Sequence, residues 1–221
     1  MKIIDLHTHT FFSDGVLSPS ELVYRYKTKD CIAVALTDHA DYSNMEFIIS
    51  SMLKAAEKLS QNYEISVIAG IELTYIPPKD MRNMVGLAGS AGAQLIVVHG
   101  ETSAENVPPG TNIAAIEARC DILAHPGRLT DEEAAAAREN GVFIELTTRM
   151  GHRDTNKEVA ETAIKNDCSL ILNTDSHAPE DMLDEEKIES VLNQCGLADD
   201  YYDILRENSI KLTERIKEKK R

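Results

Sequence analysis

Short apolar runs recur along the chain, and nearly every one of them leads into a histidine or an acidic residue. The seven runs cover residues 3–6, 32–36, 65–69, 94–98, 121–124, 142–145 and 169–172. Apolar runs of this length, set apart by longer segments with helical periodicity, are typical of strands in repeated βα units. The pattern therefore predicts a parallel sheet whose strands are connected by helices.

The segments between the runs carry signals for the start and the end of helices. Ser18-Pro19-Ser20-Glu21 offers an N-cap serine, a proline at the first helical position and a capping-box glutamate. Residues 44–61 repeat apolar side chains with the 3.6-residue period of a helix. Thr130-Asp131-Glu132-Glu133 is a second capping box, and Gly141 is a C-terminal stop. Further helices are predicted near residues 80–92, 111–119, 155–167, 181–194 and 202–217.

Two architectures fit seven strands that alternate with about eight helices. An open doubly wound sheet binds its ligand at a switch point and uses only a few strand ends, whereas a closed barrel brings every strand end to one mouth. Six of the seven runs lead into residues of ligand type, which favours the barrel. We therefore predict one α/β domain over residues 1–221, a seven-stranded parallel βα (TIM-like) barrel, with 217–221 as a charged, frayed tail.

The histidine and acidic residues that follow the apolar runs are the candidate functional residues of this chain. They are His7, His9, Asp38, His39, Glu72, His99, His125, Asp175 and His177. His7 and His9 are two positions apart, so on a strand both side chains face the same way, and Asp175 and His177 repeat this spacing. Asp14 follows the first run within Ser13-Asp14-Gly15, and we include it as a ligand although Asp-Gly is also a turn signal. The pattern predicts a polynuclear metal site at the C-terminal ends of the strands.

With Asp14 included and Asp38 set aside, nine candidate ligands remain, which is too many for one ion. Zinc takes four ligands, so nine residues, with Glu72 able to bridge through its two oxygens, suit two or three divalent ions. Imidazole is a good ligand for zinc or iron, and carboxylate suits manganese. Ions about 3.5–4 Å apart can share a hydroxide and neutralise a transferring phosphoryl group.

Composition narrows the functional classes. The net charge is -14 and the pI is about 4.9, whereas a large nucleic-acid footprint needs a basic face. A small phosphorylated substrate stays compatible, because bound cations supply local positive charge. No apolar run approaches the roughly 18 residues of a membrane span, and the N-terminus lacks a signal-peptide pattern, so we expect a cytoplasmic protein. The four scattered cysteines predict reduced, structural thiols.

The motifs together resemble the signature of the PHP family, named for polymerase and histidinol phosphatase. They are His7-x-His9, Ser13-Asp14-Gly15, Thr37-Asp38-His39, Gly70-Ile71-Glu72, His99, Ala124-His125-Pro126 and Asp175-Ser176-His177, in order over about residues 1–180. The resemblance implies a distorted seven-stranded βα barrel that holds up to three ions and hydrolyses phosphate esters. It implies three ligand sets, namely His7, His9, Glu72 and Asp175; Glu72, His99 and His125; and Asp14, His39 and His177. The family has histidine or aspartate where this chain has Asp14, so the identity of the third ion stays open.

Three residues outside the ligand sets are candidate catalytic residues. Arg149, in the loop after the sixth run, is expected to grip a phosphate, and Arg128 is a second candidate for this role. Asp38 adjoins a ligand and is expected to orient an imidazole through its second nitrogen. His152 is expected to contact the substrate or act as an acid, with a surface position as the alternative.

Two further features belong to the same predicted mouth. Glu145 ends the sixth run and is expected to be a buried, hydrogen-bonded carboxylate. The loop 100–110 is long for a βα connection and is expected to form a lid over the pocket.

The first functional hypothesis is a metal-dependent phosphoesterase that attacks a small phosphomonoester with a metal-bound hydroxide. Histidinol phosphate is one candidate substrate, since family members use it, and a phosphodiester or nucleotide is the rival within the class. An amidohydrolase-type hydrolase is a second hypothesis, but no lysine stands at a predicted strand end to bridge two metals. A noncatalytic subunit of a nucleic-acid-processing complex is the third, and the intact ligand set argues against it. The sequence leaves the oligomeric state open.

Overall fold

The computed structural model describes residues 2–219, in which strands and helices alternate. The strands are β1 (Ile3–Asp5), β2 (Cys31–Leu36), β3 (His39–Ala40), β4 (Ser66–Leu73), β5 (Leu95–His99), β6 (Ile122–Ala124), β7 (Phe143–Thr147) and β8 (Leu170–Asn173). The helices are α1 (Pro19–Thr28), α2 (Met45–Tyr63), α3 (Met81–Ser90), α4 (Thr111–Ala118), α5 (Asp131–Asn140), α6 (Asn156–Lys165), α7 (Glu185–Cys195) and α8 (Tyr201–Lys219). Every predicted strand and helix has its counterpart.

The strands form one parallel sheet in the order β1-β2-β4-β5-β6-β7-β8, and the two ends of this order meet. Asp175 N donates to His7 O at 3.0 Å, and His9 N donates to Ser176 O at 2.8 Å. Thr8 and Ser176 form a parallel bridge between the same two segments. These contacts nearly close the sheet, so the predicted seven-stranded, TIM-like α/β barrel is confirmed.

The second predicted strand continues beyond its predicted end. β2 stops before Thr37, whose Oγ1 accepts a hydrogen bond from Thr8 N at 3.0 Å. The chain then resumes as β3, which pairs in parallel with β4 and sets His39 opposite Glu72. The barrel therefore has seven strand positions built from eight strand segments, and the added segment carries a predicted ligand.

Apolar side chains fill the barrel below its mouth, the end at which the strands finish. This layer contains Ile4, Leu6, Ala33, Ala35, Ile68, Leu95, Val97, Ile122, Ala124, Phe143 and Ile171. Leu212 and Ile216 of α8 join it, and Arg215 of the same helix bonds Asp121 at 3.0 Å. Because Asp121 stands just before β6 begins, α8 seals the end of the barrel opposite the mouth. Burial of this apolar surface is the main driving force that holds the barrel together.

The helix ends follow the sequence signals with one exception. Thr130 and Glu133 form both hydrogen bonds of the predicted capping box. Ser18 Oγ accepts from Glu21 N at 3.2 Å, as an N-cap should. The Glu21 carboxylate, however, accepts from Arg25 one turn later, so the second half of that capping box is missing.

The C-terminal helix carries part of the predicted charged tail. α8 runs through Lys219, so 217–219 are helical, and 220–221 lie outside the described residues. Like the other helices in the described part of the chain, α8 is not apolar over a length that could cross a membrane.

A buried hydrogen-bond network anchors β1 under the mouth. Tyr26 OH donates to Asp5 Oδ2 at 2.5 Å, and Thr174 Oγ1 donates to the same oxygen at 2.6 Å. Because Tyr26→Phe deprives this buried carboxylate of a donor, we expect the free energy of unfolding to fall by about 1–3 kcal/mol. Tyr24→Phe is the matched control, since Tyr24 lies on the same helix and is exposed. Urea unfolding measures both variants, and equal midpoints would contradict this prediction.

Candidate metal centre

The mouth of the barrel gathers all nine predicted ligands. Three of them lie on strands, namely His39, Glu72 and His99. Five follow strands within a few residues, namely His7, His9, His125, Asp175 and His177. Asp14 comes from the loop between β1 and α1. The spacing argument assumed that His7 and His9, and likewise Asp175 and His177, lie on strands. Both pairs lie beyond the strand ends instead, but their ligand atoms still lie close together.

The inner group consists of His7, His9, Glu72 and Asp175. His7 Nε2 and His9 Nε2 are 3.1 Å apart, and His9 Nε2 is 2.9 Å from Asp175 Oδ1. Glu72 Oε1 lies 3.3 Å from His7 Nε2, and Oε2 lies 3.5 Å from His9 Nε2. All four residues are buried. Two imidazoles and two carboxylates thus point their ligand atoms at one small volume.

Glu72 connects this inner group to two further histidines. Its Oε1 lies 3.5 Å from His125 Nε2, and the rings of His99 and His125 are 4.4 Å apart. Glu72, His99 and His125 offer three ligand atoms within 4.8 Å of one another. Glu72 therefore lies between two groups of ligands, as a bridging carboxylate would.

Asp14, His39 and His177 form the outer group. Asp14 Oδ2 is 3.1 Å from His177 Nε2 and 3.6 Å from His39 Nε2. The side chain of Asp14 is 55% exposed, so this group opens to solvent. Partial burial opposes the charged form, but the imidazoles of His177 and His39 outweigh it and lower the pKa of Asp14 below its usual range.

Unpaired buried polar atoms mark where cations fit. Both oxygens of Glu72, Oδ1 of Asp175 and Oε1 of Glu145 accept no hydrogen bond from the described residues. His39 Nδ1 is 2.7 Å from Glu72 Oε2, yet its hydrogen-bond partner is Thr74 Oγ1. An unpaired buried carboxylate costs free energy unless a cation compensates it. Carboxylate oxygens among imidazole nitrogens fit zinc, iron or manganese.

Without ions, the carboxylates hold protons on some of these histidines. Burial opposes the charged form of His7, but Glu145 and Glu72 outweigh it and raise the pKa of His7 well above its usual value. Burial also opposes the charged form of His39, yet Glu72 raises the pKa of this imidazole to about 10. At His9, burial prevails and lowers the pKa. A cation that binds His7 or His39 must therefore displace a proton.

Two of the ligand residues have a left-handed backbone. His125 has φ 28° and Asp175 has φ 53°. Such conformations cost non-glycine residues about 1–3 kcal/mol and cluster at functional sites. Each residue follows a strand directly or within two positions, and after this sharp change of direction His125 Nε2 lies 3.5 Å from Glu72 Oε1 and Asp175 Oδ1 lies 2.9 Å from His9 Nε2.

Asp38 has partners other than the expected imidazole. It accepts hydrogen bonds from Thr10 N and Ser13 Oγ, both at 2.8 Å. The expectation that Asp38 orients an imidazole directly is therefore wrong. Ser13 Oγ lies 3.5 Å from His9 Nδ1, so Asp38 fixes the loop that carries Asp14 and reaches His9 only through Ser13.

Glu145 is a buried, hydrogen-bonded carboxylate, as predicted. Its Oε2 lies 2.8 Å from His7 Nδ1 and accepts from Asn173 Nδ2 at 2.8 Å. A proton on His7 Nδ1 leaves Nε2 as the atom that faces the inner group. Glu145 therefore acts as a positioning residue for His7.

His152 is buried, so the surface position considered for it is wrong. Its ring stacks on His125 with the centroids 4.4 Å apart. Burial lowers the pKa of His152 to about 4, which makes the ring neutral near pH 7. Sequence reasoning missed Glu105, whose carboxylate lies 3.6 Å from His152 Nε2. The available signal was the predicted lid over 100–110, which contains this residue.

Arg149 lies at the mouth and lines a cavity of about 360 Å³. Its Nη1 is 3.3 Å from Asp181 Oδ2, and that oxygen accepts from His177 N at 2.9 Å. The cavity has two further cationic side chains, Arg153 and Lys187. Arg128, in contrast, is exposed and lines a groove with residues of α5 and α6. The arginine next to the ligand groups is therefore Arg149.

Comparison with known sequences finds relatives of this chain, and the matching family model includes six of the nine predicted ligands. The model of the PHP domain matches residues 5–107. An uncharacterized protein of Methanocaldococcus jannaschii is 46% identical over 195 residues, which cover 87% of this chain and 89% of that protein. Ribonuclease P protein component 3 of Methanosarcina acetivorans is 31% identical over 215 residues, which cover 90% of this chain and 83% of that protein.

Solved structures share the barrel. A chain of archaeal ribonuclease P with mature tRNA superimposes with a TM-score of 0.73 at 17% identity. The match covers 97% of this chain and 91% of the ribonuclease P chain. A candidate histidinol phosphatase from Listeria monocytogenes has a TM-score of 0.59 at 14% identity. That match covers 81% of this chain and 97% of the phosphatase chain. The strand order defines a βα barrel, and the histidines and carboxylates at its mouth form a candidate metal site. With the sequence relatives above, they show that the chain belongs to the PHP family.

Proposed function

We propose that this protein is a metal-dependent phosphoesterase that hydrolyses a small phosphomonoester. The observation that carries the proposal is the state of Glu72, which is buried and whose two oxygens accept no hydrogen bond from the described residues. These oxygens lie within 3.5 Å of His7, His9 and His125. A carboxylate so placed suits a bridge between two cations, and paired cations are the usual machinery of metal-dependent phosphatases.

Three ion positions follow from the ligand groups. The first set is His7, His9, Glu72 and Asp175, the second is Glu72, His99 and His125, and the third is Asp14, His39 and His177. Bound divalent ions would supply positive charge for a phosphoryl group and lower the pKa of a water molecule. The mixture of imidazole and carboxylate suits zinc, manganese or iron.

Residues around the ligand groups would bind the rest of the substrate. The guanidinium of Arg149 can donate two parallel hydrogen bonds to a phosphate group. On another side of the mouth, a cavity of about 380 Å³ borders His39, and Tyr75 forms part of its wall. A cavity of this size has room for the organic part of a small phosphoester such as histidinol phosphate.

Phosphate release tests the proposal directly. The protein, loaded with manganese or zinc, is incubated with histidinol phosphate and a panel of other mono- and diesters. A His7→Ala/His9→Ala variant is the control. We expect inorganic phosphate from at least one monoester and none from the variant. A folded, metal-loaded protein that releases no phosphate from any ester would overturn the proposal.

Arg149→Gln is expected to raise KM for the best monoester about tenfold or more, because a hydrogen bond to a charged group contributes about 1.5–3 kcal/mol. Zinc content should stay unchanged, since Arg149 is not a ligand. Arg138→Gln is the matched control, because Arg138 is an exposed arginine of α5. Steady-state kinetics give KM and kcat, and an unchanged KM would contradict this role for Arg149.

Action on RNA is the second candidate function, and the relatives favour it. Besides the ribonuclease P component, a 5'-3' exoribonuclease of Haemophilus influenzae is 36% identical over 73 residues, which cover 33% of this chain and 24% of that protein. The net charge of -14 counts against a large RNA footprint. An end-labelled RNA, incubated with the same loaded protein, separates the two candidates. Shortening of the RNA without phosphate release from monoesters would favour the second.

A further inference from the structure

His99, Glu105 and His152 form another cluster at the mouth, and two of its members belong to none of the three ligand groups. Glu105 Oε2 lies 3.5 Å from His99 Nε2, and Glu105 Oε1 lies 3.6 Å from His152 Nε2. The three residues offer ligand atoms within 4.8 Å of one another. The cluster thus has the compactness of a cation site.

Both imidazoles of the cluster are set to present Nε2 to the carboxylate. His99 Nδ1 donates to Gly100 O at 3.1 Å, because a carbonyl oxygen can only accept, and the lone pair is then on Nε2. His152 Nδ1 lies 2.6 Å from Thr102 Oγ1, an oxygen that also accepts from Ala104 N. A hydrogen bond at the far ring nitrogen is the usual support of a metal-bound histidine.

The loop that carries Glu105 is fixed at its base. The carboxylate of Glu101 accepts from Gly110 N at 3.0 Å and from Asn112 N at 2.9 Å. Gly127, with φ 65°, packs so closely on Glu101 O that a Cβ atom would collide with it. The position of Glu105 over the two histidines therefore follows from an anchored loop.

We propose that His99, Glu105 and His152 form a divalent-cation position at the rim of the mouth, which competes for His99 with the ion of Glu72 and His125. Two imidazole nitrogens and one carboxylate oxygen are the donors of a zinc site that keeps a fourth position open. Because His99 has a single available nitrogen, it serves either this rim ion or the ion of Glu72 and His125. The inference rests on the proposed function only in sharing His99 with that site.

Zinc binding to the full chain tests the rim position. Anomalous scattering at the zinc edge from zinc-soaked crystals should show a peak about 2.0–2.2 Å from the Glu105 oxygen and the His152 nitrogen. Glu105→Gln and His152→Gln should each remove this peak and retain the one beside His7 and Asp175. In solution, competition with a chelator should show one zinc bound at least about tenfold more weakly in each variant.

Glu158→Gln is the matched control, because Glu158 is exposed on α6, and it should retain every peak and affinity. Zinc beside His7 and Asp175 with none at Glu105, together with unchanged affinities in both variants, would overturn the rim position alone. Zinc at the rim in a protein that releases no phosphate would support the rim position and overturn the proposed function. A protein that binds no zinc would overturn the rim position alone, because the proposed function is tested with manganese as well.

Discussion

Glu72→Gln is expected to reduce phosphate release by at least about 10³-fold, because cations supply several kcal/mol of transition-state stabilisation and each 1.4 kcal/mol is a factor of ten. Glutamine keeps the size of the side chain and one acceptor oxygen. It loses the negative charge and one of the two carboxylate oxygens, of which Oε1 lies within 3.5 Å of His7 and His125 and Oε2 lies 3.5 Å from His9. Elemental analysis after dialysis should therefore find fewer ions per chain than in the wild type.

Glu158→Gln makes the same chemical change at an exposed position and should keep both the rate and the ion content. The Glu72→Gln protein should fold, because an amide of the same size replaces the carboxylate and only its charge interactions with His7 and His39 are lost. Circular dichroism checks this point. A folded variant that keeps its ions and its rate would contradict the bridging role, and one that loses its ions but keeps its rate would contradict the proposed function.

The position of the site could be predicted because parallel strands finish at a common edge of the barrel. His99 is the last residue of β5, and Glu72 is next to last in β4, so the strand alone delivers each side chain to the mouth. Asp175 and His7 reach it for another reason, since a hydrogen bond between Asp175 N and His7 O joins the two segments beyond their strands. The prediction of their proximity was right, although the spacing argument behind it was not.

The partners of loop residues could not be predicted in this way. The acceptor role of Asp38 depends on Thr10 and Ser13, which are 28 and 25 positions away in the chain. The place of Glu105 depends on how Glu101 caps the start of α4 and on the close approach of Gly127. These contacts have no periodicity, and periodicity is the signal from which strands and helices are predicted.

Removal of the ions is expected to lower Tm by about 5–10 °C for each ion lost. The reference is the protein in the presence of the ion at about 100 times its Kd. An ion that binds only the folded chain stabilises it by about 2.7 kcal/mol at this concentration. For a domain of this size, each kcal/mol shifts Tm by about 2–4 °C. Differential scanning calorimetry with a chelator and with added zinc measures the shift. The His7→Ala/His9→Ala variant should show a smaller one.

The stabilisation by ions should grow as pH rises, and the sign follows from proton competition. Although burial opposes it, Glu72 raises the pKa of His39 to about 10, so near pH 7 the ion-free protein carries a proton that a cation must displace. The ion-free folded protein thus binds more protons than the loaded one, and lower pH favours the ion-free form. The zinc-dependent shift in Tm should be larger at pH 8 than at pH 6. Calorimetric titrations in buffers of different ionisation enthalpy should detect proton release, and a larger shift at pH 6 would contradict the assignment of these histidines as ligands.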